Sequence, residues 1–133
     1  MRKADVIGSW RLVSYEAAAK DDVIYPMGKN AIGVLDYSAD GKVSVHIMGE
    51  GYFAYYGDYT VDERASTITH HLEMASEPSF VGASNLRRAD LRDDRLVLSG
   101  TMTFEGVPRA IEVTWKRVLD LGTTVTRARP GGE

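Results

Sequence analysis

The chain has no cysteine among its 133 residues. That excludes disulfides, thiolate nucleophiles and cysteine-ligated metal sites. Histidine is scarce, with only His46, His70 and His71 present. These do not fall at metal-site spacings, so no metal is expected. A dominant charge sign is also lacking: 16 Lys and Arg against 19 Asp and Glu give a net charge of -3. The two signs are interspersed, which leaves no electrostatic footprint for nucleic acid or an anionic membrane. No apolar run reaches transmembrane length. Met1-Arg2-Lys3-Ala4-Asp5 leads on without the apolar stretch of a secretory signal, so a soluble cytoplasmic protein is expected. Helical periodicity is missing as well, apart from one turn predicted over Lys3 to Ile7.

What the chain does have is alternation. Segments with a period of two run over Trp10–Ala19, Ala31–Ser38, Val43–Met48 and Phe53–Val61. They continue over Ser66–Ala75, Ala83–Leu91, Arg95–Met102 and Ala110–Val118. About eight strands separated by turn signals predict an all-β protein, a single up-and-down antiparallel barrel. Three connections are tight: Ala39–Lys42, Asp62–Ala65 and Arg92–Asp94, with Asp or Gly supplying hairpin chemistry. The connections at Gly49–Gly51, Ser76–Val81 and Thr103–Arg109 read as longer, and Lys20–Asn30 is the longest. Within that first loop, Val23-Ile24-Tyr25-Pro26 reads as a short extra strand or a lid. In an up-and-down chain this arrangement gives one closed end and one mouth, and closing the sheet removes its unpaired edges. The predicted domain is 1–122, with a polar tail over 123–133.

Alternation also predicts which side chains face inward. Trp10 and Leu12 set the inner face of the first strand and carry Ser14 and Glu16 with them. Tyr55, Gly57, Tyr59 and Val61 share a face, as do Ile68, His70, Leu72 and Met74. Ala89 and Leu91 bring in Asn85 and Arg87. Leu96 and Leu98, then Ile111, Val113 and Trp115, complete the wall. For Val43–Met48 either parity is open. Met48 and Met74 read as core filler. The resulting interior is apolar, with a polar set containing an acid, an imidazole and a guanidinium, which is the usual make-up of a small-molecule pocket. An arginine cannot shed its charge, so Arg87 needs a partner such as Glu16 or a bound anion.

Gly8-Ser9-Trp10 at the start of the first strand and Arg117 near the end of the last resemble the Gly-x-Trp signature of lipocalins and related calycin barrels. Eight up-and-down strands place these two residues on neighbouring strands at the closed end, where a cation–π contact is within reach. Further pieces resemble the small bacterial lipocalin-like domain proteins. They include Gly8 through Glu16, Tyr25-Pro26-Met27-Gly28, Gly33 through Tyr37, Ala54 through Tyr59, and His70-His71-Leu72-Glu73. Pro78, Gly82, Arg87-Arg88, Arg95 through Leu98 and Trp115-Lys116-Arg117 complete the match, which reaches to about Val118. The resemblance implies a lipocalin-like barrel in which Trp10 and Arg117 close one end. Related barrels include carriers and cofactor-free isomerases or cyclases of biosynthetic pathways.

The leading expectation is a barrel that binds a small, largely apolar, oxygen-bearing molecule. In its sharper form the barrel is a cofactor-free isomerase or cyclase. His70 and Glu16 would move protons there, and Arg87 and Tyr59 would stabilise negative charge on oxygen. Ser14, Leu35, Tyr55, Leu72, Asn85, Leu98, Val113 and Trp115 are the expected ligand contacts. The rival readings are a non-catalytic carrier or sensor, and a haem-binding barrel with His70 as axial ligand. No cofactor is expected otherwise. A small molecule is the expected partner, neither nucleic acid nor membrane is, and a homodimer is left open.

Overall fold

A four-residue helix, α1 (Lys3–Val6), precedes nine strands in the computed structural model, which describes residues 1–118. The strands are β1 (Gly8–Ala19), β2 (Asp22–Ile24), β3 (Ile32–Tyr37), β4 (Lys42–Gly49) and β5 (Gly51–Asp62). They continue with β6 (Thr67–Ala75), β7 (Ser84–Arg92), β8 (Arg95–Phe104) and β9 (Val107–Arg117). A short 3-10 turn, Pro78–Phe80, lies between β6 and β7. Every pairing is antiparallel, and β1 pairs with both β3 and β9, so eight strands close into a barrel. The ninth, β2, is a short flap on the end of β1, with Ala17 opposite Ile24. The boundary expected at residue 122 and the tail over 123–133 lie outside the described residues. No described helix is long and apolar enough to cross a membrane.

The inner face is the apolar parity of each strand. Leu35, Val45, Ile47, Ile68, Leu96, Leu98, Ile111 and Val113 are all buried. Burial of Val43, Val45 and Ile47 settles the parity left open over 43–48 and puts His46 and Met48 outside.

Two bulges break the simple alternation. The first lies in β1 opposite β9: Leu12 pairs with Trp115 but Ser14 pairs with Thr114, leaving Val13 over. An extra residue shifts the side-chain phase by one. Tyr15 and Ala17 therefore turn inward opposite Val113 and Ile111, while Ser14 and Glu16 turn outward. The second bulge lies in β6 at Glu73, between the pairs Gly57–Leu72 and Tyr56–Met74. It moves Met74 to the outer face, where it is 60% exposed. Met48 and Met74 are thus surface residues rather than core filler.

Two connections expected to be long are tight hairpins instead. A single residue, Glu50, joins β4 to β5. Glu105 and Gly106 alone join β8 to β9, both at positive φ (50° and 80°). Two consecutive left-handed residues match the strand twist of a type I′ hairpin. The mouth is correspondingly narrow. Met27 packs against the core, with its carbonyl accepting from the Glu50 N–H at 2.8 Å. Phe80 on the 3-10 turn meets Phe53 edge-on, with ring centroids 5.7 Å apart.

At the opposite end Trp10 is fully buried. Its indole N–H donates to the Val6 carbonyl at 2.9 Å, which ties α1 beneath the barrel. The Arg117 guanidinium lies 4.2 Å from the Trp10 ring centroid and donates to the carbonyls of Ile7 and Asp5. A cation over an indole face, with its N–H groups on backbone carbonyls, is both packed and satisfied.

Candidate functional site

A chamber of about 40 Å³ lies inside the upper half of the barrel. Tyr15, Leu35, Val45, Ile47, Phe53, Tyr55, His70, Asn85, Arg87, Leu98, Met102, Ile111, Val113 and Trp115 line it. Eight of the residues expected at a site meet here: Leu35, Tyr55, His70, Asn85, Arg87, Leu98, Val113 and Trp115.

Four others lie elsewhere. Glu16 and Ser14 are on the outer face, because of the β1 bulge. Tyr59 is buried below the chamber and donates to the Ser38 carbonyl at 2.7 Å. Leu72 is buried but does not line the chamber; its backbone is bonded to Gly82 and Ala83 at the end of the 3-10 connection. The acid expected opposite Arg87 is therefore not inside the barrel.

His70 is only 2% exposed and fully engaged. Its Nε2 lies 2.6 Å from the Tyr37 hydroxyl and its Nδ1 2.5 Å from the Tyr55 hydroxyl. A neutral imidazole satisfies both, accepting at one nitrogen and donating at the other. Burial, helped by the Arg87 charge and the neighbouring His71, pushes its pKa down to about 3. Burial likewise raises the tyrosine hydroxyls: Tyr37 well above its ordinary value, with Tyr55 and Tyr15 also raised. Tyr37–His70–Tyr55 is thus a neutral hydrogen-bonded chain at physiological pH. Neither ring nitrogen is free for an axial bond, and the chamber has no space for a porphyrin, so the residues do not fit haem. Among the described residues no group of three His, Asp or Glu is placed to hold a metal.

Three polar groups around the chamber are not fully spent. The Trp115 indole N–H is buried with no acceptor among the described residues. Among the described residues the Tyr15 hydroxyl has only the Met102 sulfur, at 3.5 Å, and a thioether is a weak acceptor. Arg87 donates to the Leu86 carbonyl at 3.0 Å and forms no salt bridge within the described residues. Buried polar groups are ordinarily paired, so an unpaired one signals either cost or function.

Sequence reasoning missed Tyr37, Tyr15, Phe53 and Met102. For Tyr37 and Phe53 the signal was present, since they share parity with Leu35 and Tyr55. Tyr15 carried none, because nothing in Leu12-Val13-Ser14-Tyr15 announces a bulge.

The closed antiparallel barrel, with Trp10 and Arg117 stacked at one end, agrees with a family model. The model for a lipocalin-like domain matches residues 7–51 and 48–118, more than half of the chain. The chain belongs to the lipocalin-like domain family. A curated relative within reach of this lipocalin-like chain is the 4′-hydroxy-3′-methoxypropiophenone carrier protein ppsC of Aspergillus oryzae. The two are 31% identical over 75 residues, which is 50% of this chain and 68% of the relative. The family match fits a lipocalin-like barrel, and the relative's name is that of a small-molecule carrier.

Proposed function

We propose that the protein is a non-catalytic carrier or sensor of a small, largely apolar aromatic molecule bearing oxygen functions, held in the chamber. The observation that carries this reading is the Trp115 indole N–H, buried beside an apolar chamber with no acceptor among the described residues. A buried donor left unpaired costs roughly 1–3 kcal/mol, and a ligand carbonyl or ether oxygen removes that cost. Tyr15 is the second polar contact, since it gives up only a sulfur. The relative named for a propiophenone supports the ligand class, because an aryl ketone combines an apolar ring with a carbonyl acceptor.

The chamber chemistry favours carriage over isomerisation or cyclisation. A proton-transfer mechanism needs a group that titrates near neutrality and is free to reach the substrate. His70 has a pKa near 3 and both nitrogens occupied. Glu16, its intended partner in acid–base work, faces outward.

About 40 Å³ holds a water molecule or two, whereas small-molecule pockets run to roughly 300–1,000 Å³. Occupancy therefore requires side chains to move, and Met102 and Arg87 are the flexible ones in the wall.

The test is calorimetric titration with 4′-hydroxy-3′-methoxypropiophenone. Saturable 1:1 binding is expected, with Trp115→Phe weakening it roughly 3- to 10-fold through loss of one hydrogen bond. Binding unaffected by Trp115→Phe would remove the assigned role of the indole. The absence of any binding would overturn the reading.

A further inference from the structure

The barrel wall is incomplete on one side. β7 pairs with β6 from Arg88 opposite Thr67 to Ser84 opposite His71. Its pairing with β8 starts at Arg92 opposite Arg95 and stops at Arg88 opposite Ser99. β8 nevertheless runs on to Phe104 along β9. Ser84–Arg87 thus hold only β6, and Gly100–Phe104 hold only β9. Between them lies an open cleft of about 850 Å³. It shares Asn85, Arg87 and Ile111 with the chamber. Pairing also lapses between β1 and β3 beyond Arg11 opposite Val34, but the outer groove there shares no residue with the chamber.

Arg87 occupies this break. Its guanidinium donates to the Leu86 carbonyl, beside the point where the ladder to β8 ends. Gly100 leaves room for it: a Cβ there would meet the Arg87 Nη1 at 2.9 Å and Cδ at 3.2 Å. One guanidinium N–H is thereby used, and four remain. No described carboxylate comes within salt-bridge distance. Glu16 and Glu112 line the same cleft from the β1–β9 side. The cleft is therefore cationic on the β7 wall and acidic on the opposite one.

We infer that the ligand carries a carboxylate at one end, and that this end is seated on Arg87 in the break between β7 and β8 while the apolar body lies in the chamber. This rests on the chamber being the ligand site. A planar carboxylate matches the guanidinium fork, and charge-assisted pairs are the stronger hydrogen bonds. The break lets the charged end stay at the wall, so it need not be taken into the apolar interior, where an ion would pay heavy desolvation. The same break supplies the volume that the chamber lacks.

The test compares two probes on the same protein by calorimetry: 4-hydroxy-3-methoxybenzoate and its methyl ester. The ester has the shape of an aryl ethyl ketone and no charge. Wild type should bind the acid at least about tenfold more tightly than the ester. Arg87→Gln should abolish the preference, with acid and ester binding the variant within about twofold of each other. Glu16→Gln, which removes one of the two acidic charges from the opposite wall, should strengthen the acid relative to the ester. If the ester binds wild type as well as the acid does, or better, the carboxylate inference is overturned while the chamber reading stands. A preference for the acid that survives in folded Arg87→Gln overturns the seat on Arg87. Failure of both probes to bind overturns the inference together with the reading beneath it. The wild-type comparison decides the question of charge even if a variant does not fold.

Discussion

His70 shows how one buried polar residue couples the fold to pH. It sits between two tyrosine hydroxyls, and burial with nearby positive charge holds its pKa at about 3 against an ordinary 6.5. The unfolded chain therefore takes up a proton as pH falls through about 6.5, whereas the folded chain resists until about 3. Stability is retained above that window and lost progressively within it, on the order of 1 kcal/mol per pH unit from this one group. Urea denaturation at pH 7, 5 and 4 should show that slope. The same series on His70→Gln should be flatter, whatever its starting stability, and an identical slope in both proteins would count against the assignment. Trp10 is the other residue whose removal has a defined cost. It is fully buried, bonded to Val6 and covered by Arg117. Trp10→Ala should lose roughly 3–5 kcal/mol, as large-to-small aromatic changes in cores do, read as a lower denaturation midpoint at an unchanged slope.

Among the elements, β5 and β6 depend on a close approach at the bulge. Gly57 lies where a Cβ would fall 1.8 Å from the His71 carbonyl oxygen and 3.0 Å from the Glu73 nitrogen. Both are backbone atoms, so a side chain there cannot be accommodated by a rotamer change. Gly57→Ala should destabilise by about 3 kcal/mol or more, the upper range for overpacking. Thermal melting checks this against Gly82→Ala, where no atom lies within 4 Å and only the positive φ of 89° is strained. That control should cost less, about 1 kcal/mol. The bulge in β1 has the larger functional consequence. It exchanges Glu16 for Tyr15 in the chamber wall, replacing an acid with a phenol. Deleting Val13 would remove the extra residue and leave Leu12, Tyr15 and Ala17 in unbroken inward alternation, with Glu16 still outside. The expected outcome is a barrel that keeps its tertiary near-UV circular dichroism, and collapse of that signal would contradict the register.

For the whole molecule, the balance between a filled barrel and a side opening decides what can bind. The narrow mouth, covered by Met27, Phe53 and Phe80, and the β7–β8 break point to ligand exchange through the wall. Hydrogen exchange should therefore find Ser84–Arg87 and Gly100–Phe104 less protected than Val43–Ile47 in the fully paired wall. Ligand should raise protection at the break more than at the turns of the closed end. Uniform protection along β7 would contradict a functional opening.

Alternation alone was enough for the barrel. Eight segments of period two with Asp and Gly turns specify strands and an up-and-down barrel, because side-chain parity in a strand follows directly from residue number; the sealed end was implied by the resemblance of Gly8-Ser9-Trp10 and Arg117 to the lipocalin signature. Alternation placed His70, Arg87, Tyr55 and Trp115 around one chamber for the same reason. Parity fails wherever a bulge inserts a residue. A bulge is decided by how two strands fit across a curved wall, which the sequence of one strand does not record; Tyr15, Glu16 and Met74 changed sides on that account. The tertiary structure also decided the state of His70. Its neutrality comes from burial that only the closed barrel supplies, and its hydrogen-bond partners Tyr37 and Tyr55 lie 33 and 15 residues away in the chain. The break beside Arg87 belongs to the same class: β7 and β8 both read as full strands, and only their splayed courses in the barrel show where the wall opens.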